Sequence, residues 1–102
     1  MDFIKTKTVL ISPYPVEVVL CLLSDSGLNK LGDFEAAKCL RDGMTVFVYF
    51  SDDDIPIMVH ELFHATEFIM DILGQKLGYP PNETWAYTME FLTRECMEFL
   101  EE

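Results

Sequence analysis

The run from about Ile55 to Leu73 constrains this chain more than any other stretch. Ile57, Met58, Val59, Leu62, Phe63, Ala65, Phe68, Ile69, Met70, Ile72 and Leu73 fall at helical spacings and cover most of a helix circumference. A helix that is apolar nearly all round is a buried one, so the rest of the chain has to supply layers around it. Within it, Val59-His60-Glu61-Leu62-Phe63-His64 reads H-E-x-x-H. His60 and His64 lie one turn apart on the same helix face. Two imidazoles so placed can share one zinc ion, and Glu61 between them can act as general base on a water held by that ion. They are the only two histidines in the chain. In a buried helix all three groups need polar partners.

Candidates for the surrounding layers are short. Residues 6–12 are β-branched and apolar and predict a strand, which Pro13-Tyr14-Pro15 breaks. Val16 to Leu23 reads as a second strand, although periodicity alone leaves a short buried helix open. Ser24-Asp25-Ser26-Gly27 is a turn cluster, followed by a loop and a short helix around Phe34–Leu40. Asp42-Gly43 signals a turn, and Met44 to Phe50, apolar on both sides, predicts a mostly buried strand. Asp52, Asp53 and Asp54 suit the start of the long helix, with Pro56 tolerated in its first turn. Gly74 or Gly78 ends that helix, and Tyr79-Pro80-Pro81 connects it to the next. Asn82 is a suitable N-cap for a last helix reaching about Glu101, in which Trp85, Met89, Leu92, Cys96 and Phe99 form an apolar stripe. The expected architecture is α+β: one compact domain over residues 1–102, with a small, mainly antiparallel sheet packed on two long helices.

Composition narrows the partners. Half of the 102 residues are hydrophobic and 13% are aromatic, enough for a core and too much for a disordered chain. Residues 1–51 carry 6 acidic and 5 basic side chains, residues 52–102 carry 12 and 2, so −10 of the net −11 lies in the second half. Such a surface disfavours nucleic acid. It is compatible with a cationic partner or with simple solubility and metal attraction. No apolar stretch has transmembrane length and no small-residue cleavage site follows the first apolar run, so no membrane partner is expected and cytoplasmic residence is the default. Cys21, Cys39 and Cys96 are odd in number and widely spaced, and read as mostly buried free thiols in a reducing compartment.

Two histidines leave a catalytic zinc one protein ligand short. The next carboxylates are Glu67, Asp71 and Glu83. Glu67 and Asp71 share the helix of the histidines. A ligand on a second helix closes a tetrahedron better, and Glu83 opens the last helix, across the Pro-Pro turn.

At this point the chain resembles a family. His60-Glu61-x-x-His64 followed at a distance by Glu83 is similar to the gluzincin zinc metallopeptidases, whose third ligand is a Glu on a following helix. Asn82-Glu83-Thr84-Trp85-Ala86 resembles the aminopeptidase signature N-E-G-F-A. The match spans about Val59 to Tyr87, and the small size is closest to the minigluzincins and to short HExxH proteins of phages and prophages. The resemblance implies a minigluzincin-like zincin core that hydrolyses peptide bonds in a peptide or protein substrate. His60, His64 and Glu83 would bind Zn2+, and Glu61 would deprotonate the attacking water. The strand Met44–Phe50 would be the edge strand that aligns an extended peptide. Two departures stand out. Tyr87 occupies the position where many gluzincins carry an acid that orients a ligating histidine, and no third histidine serves the oxyanion. Tyr87, Tyr79 or Arg94 would have to supply that role, and Glu83, Tyr87, Glu90 and Arg94 share one helix face. The alternative is a catalytically weak or inactive metallopeptidase-like binding protein, a phage or prophage factor that docks on a host protein.

Overall fold

The computed structural model describes residues 3–23, 38–51, 55–76, 78 and 82–102. The expected turn at Ser24–Gly27, the aspartate cap at Asp52–Asp54 and the Tyr79-Pro80-Pro81 connection lie outside the described residues. Among the described residues, six elements follow one another: β1 (Phe3–Leu10), β2 (Glu17–Leu23), β3 (Lys38–Asp42), β4 (Thr45–Phe50), α1 (Ile55–Leu73) and α2 (Glu83–Glu101). Together they make an α+β fold with a four-stranded mixed sheet in the order β1-β2-β4-β3.

Local chemistry sets the turns. β1 and β2 form an antiparallel hairpin whose last register pair is Leu10 and Glu17. Its six-residue loop is closed by the Ile11 amide donating to the Val16 carbonyl at 3.0 Å. β3 and β4 pair antiparallel from Asp42 and Thr45 outward, leaving only Gly43 and Met44 in the loop. Gly43 has φ +61° and, among the described residues, no non-glycine residue has positive φ, the sign pattern of a type II′ turn, whose twist matches the flanking strands. α1 ends in a Schellman motif. Gly74 takes φ +73°, its amide donates to the Asp71 carbonyl at 3.2 Å, and the Gln75 amide donates to the Met70 carbonyl at 2.8 Å. At the start of α2, Asn82 accepts the Ala86 amide through its backbone carbonyl, while its side-chain Oδ1 accepts from the Gly78 amide at 3.1 Å.

Two sequence expectations differ from the structure, and a third is met. Lys38–Leu40 belongs to a strand rather than to a short helix; the rest of that expected helix lies outside the described residues. The sheet is mainly antiparallel, as expected, with β2 and β4 pairing in parallel. And β4 is not an edge strand. It hydrogen-bonds to β2 on one side and β3 on the other, so it has no free row of backbone groups for a peptide.

Both helices lie on one face of the sheet. Val18, Leu20 and Leu22 stand in register with Val46, Val48 and Phe50, and all six are buried. Met58, Leu62, Ala65 and Ile69 of α1 and Leu92, Cys96 and Phe99 of α2 cover them. The helices run antiparallel: the Cys96 thiol meets Met58 Sδ at 3.2 Å near one end, and the Thr66 hydroxyl meets Met89 Sδ at 3.0 Å further along. Phe50 and Phe99 meet edge to face, with ring centroids 6.2 Å apart. At the far end of α2, the Lys5 ammonium of β1 donates to the Phe99 carbonyl and, at 2.7 Å, to that of Glu102. A cation there complements the negative end of the helix.

Candidate functional site

α1 is less completely buried than its apolar content predicts. Ile55, Val59 and Phe63 are each more than one-third exposed. The side chains of His60 and His64 are 66% and 45% exposed, so the histidines stand on the solvent side of the helix and not in the core. The reason is geometric. The sheet is covered by Met58, Leu62, Ala65 and Ile69, and a helix lying on a sheet can bury only one stripe.

The motif nevertheless forms a compact cluster. The Nε2 atoms of His60 and His64 are 3.2 Å apart, with ring planes at 80°. Glu67 Oε1 lies 2.7 Å from His64 Nδ1. Glu61, only 9% exposed, tucks under the pair with Oε2 3.9 Å from His60 Nε2. Its side of α1 faces β3. Burial first, then the nearby charges of Glu61 and Glu67, push the Cys39 thiol of β3 up to about 12. Asp71, one turn beyond Glu67, accepts from Arg41 Nη1 of β3 at 2.7 Å. Asp71 is therefore an ion-pair partner. The stripe His60, His64, Glu67, Asp71 runs along the flank of α1 that borders the sheet edge.

The histidine pair passes a simple fit test for a metal. Zinc–imidazole bonds are about 2.0–2.1 Å, so two nitrogens at tetrahedral positions on one ion lie roughly 3.3 Å apart. The observed 3.2 Å is that spacing. The contact from His64 Nδ1 to a carboxylate is the support that metal-ligating histidines ordinarily have. Among the described residues, however, no group of three His, Cys, Asp or Glu side chains converges closely enough to hold a metal ion.

Glu83 and Tyr87 lie elsewhere. Trp85, Met89, Leu92, Cys96 and Phe99 form the inward stripe of α2. Residues two positions from Trp85 on either side are rotated about 200° from it. Glu83 and Tyr87 therefore stand on the outward face, and Tyr87 is 65% exposed. Glu83 borders a shallow cavity beside Gly74, Gln75 and Lys76 at the far end of α1. Tyr87 overhangs a groove of about 250 Å³ with Leu10, Ile11 and Phe91, on the β1 side. β1 and β3 are separated by three strand spacings, about 14 Å, so Tyr87 is placed across the helical layer from Glu61 and is not beside the histidines. Glu90 and Arg94 on that outward face form an i,i+4 salt bridge at 2.5 Å. Glu67, by contrast, belongs to the cluster, and its signal in the sequence is an acid three residues after the second histidine. Tyr79 lies outside the described residues.

Compared with known proteins, the chain matches no family model, no curated protein and no solved structure.

Proposed function

We propose that this chain is a zinc-binding protein of minigluzincin-like design, and that its site hydrolyses peptide bonds. What carries the reading is the 3.2 Å separation of His60 Nε2 and His64 Nε2 on an exposed helix face. His60 and His64 would hold the ion; Glu83, the third ligand that the family pattern implies, does not stand beside them. A bound zinc would supply Lewis acidity toward a water and a carbonyl oxygen. The chain's own contribution is Glu61. Its carboxylate is nearly buried, beside His60, and can take a proton at Oε2 from a water on the solvent side and return it to the leaving amine. A peptide or protein is the substrate class.

A second reading, a metallopeptidase-like binding protein that docks on another protein without turnover, is favoured by the outward placement of Glu83 and Tyr87. Metal analysis combined with three variants separates the two. Purified protein is expected to hold about one equivalent of zinc, and His64→Ala to lose it. Under the enzyme reading, Glu61→Gln keeps the metal but stops peptide hydrolysis, and Glu83→Ala weakens zinc binding. Under the binding reading, Glu83→Ala leaves zinc affinity unchanged, and a stoichiometric protein partner survives Glu61→Gln. Protein without zinc affinity would refute both metal assignments.

A further inference from the structure

We infer that Glu67 is the positioning residue of the histidine pair, and that through one chain of hydrogen bonds it sets the tautomer of both imidazoles. The inference rests on the metal-site reading for its consequence, though not for its geometry. An ionised carboxylate has no proton to give, so the 2.7 Å contact between Glu67 Oε1 and His64 Nδ1 requires the proton to be on Nδ1. A neutral imidazole protonated at Nδ1 presents a lone pair at Nε2. His64 Nε2 is then an acceptor, and the 3.2 Å contact with His60 Nε2 makes His60 the donor, protonated at Nε2. The two histidines are thus unequal. His64 presents its ligating lone pair before any metal arrives. His60 has to move its proton from Nε2 to Nδ1, and its side chain, 66% exposed, has solvent at hand for that exchange.

No other described carboxylate of the cluster holds either ring in this way. Asp71 is held by Arg41 at 2.7 Å. Glu61 Oε2 lies 3.9 Å from His60 Nε2, too far for a hydrogen bond. Glu67 reaches His64 because residues three apart are neighbours on a helix, and its half-exposed side chain supports nothing in the core. Replacing it should therefore leave the fold standing.

The test reads tautomers first and metal second. Nitrogen-15 correlation spectra of the metal-free protein at about pH 8 are expected to show His64 protonated at Nδ1 and His60 at Nε2. In Glu67→Ala the fixed tautomers should be lost, and zinc affinity, measured by competition with a chelator, should fall by about 10–100-fold. Glu67→Gln keeps a neutral acceptor oxygen, so it should retain the His64 tautomer and lose less affinity than Glu67→Ala. A wild-type His64 protonated at Nε2, or at both nitrogens, would overturn the inference, as would a Glu67→Ala protein with unchanged tautomers. Because the spectra need no metal, a protein that shows the expected tautomers but fails to bind zinc refutes the metal reading while sustaining the role of Glu67.

Discussion

Phe99 and Tyr87 sit on the same helix and test which of its faces is the core. Phe99 is 1% exposed and packs edge to face on Phe50, itself fully buried. Truncating it to alanine removes a complete aromatic side chain from the junction of α2 with the sheet. Buried Phe→Ala changes cost about 3–5 kcal/mol, combining lost transfer energy with the cavity left behind. A domain of this size has a total stability of roughly 5–15 kcal/mol, so Phe99→Ala should remove a large share of it. At about 4–8 °C per kcal/mol, the thermal midpoint should drop by roughly 12–40 °C. Tyr87, 65% exposed, stands at the rim of the groove, and Tyr87→Ala should cost less than about 1 kcal/mol. The assay is thermal and urea denaturation followed by far-ultraviolet circular dichroism, with both variants compared at equal urea slope. Comparable losses for the two substitutions would refute the assignment of faces, and with it the placement of Glu83 and Tyr87 away from the histidines.

Two further outcomes follow from the backbone and the thiols. Gly74→Ala should destabilise by about 1–2 kcal/mol in the same assay; a methyl group there meets no atom within 4 Å, so the cost comes from the left-handed backbone at φ +73° alone. Burial pushes the Cys96 thiol up to about 12 and that of Cys21 up to about 11, from an ordinary 9.0. The folded state therefore keeps protons that the unfolded state releases, so stability should be intact below about pH 9 and decline as pH rises from there toward 11 or 12. A pH series of denaturation midpoints checks this, and iodoacetamide should label these cysteines at neutral pH only after unfolding.

The helices were the most legible part of the sequence. Their bounds follow from apolar periodicity, a stop at Gly74 or Gly78, of which the structure uses Gly74, and the position of Asn82, all of them local signals. The strands were readable as segments, but not as a sheet. Nothing within Val16–Leu23 or Met44–Phe50 says that the two lie side by side in parallel, because that pairing depends on residues far apart in the chain. Lys38–Asp42 carries only a five-residue alternation, with Cys39 and Arg41 toward α1 and Leu40 outward, too short to outweigh a helical reading. The site divides in the same way. His60, Glu61 and His64 share one helical turn and come together as their spacing predicts. That Glu83, Tyr87, Glu90 and Arg94 share a face was also readable. Where that face lies relative to the histidines was not, because that depends on how the two helices pack on the sheet.

The central place of β4 also bears on how the molecule assembles. Each hairpin can close by itself, through a loop of two or six residues. Neither has a buried face until Val18 finds Val46, 28 residues further along the chain. Closing a loop of that length costs about 3 kcal/mol of chain entropy. Nearly all of it has to be met before the parallel seam returns any contact, so closing the seam between β2 and β4 is expected to be slower than closing either hairpin.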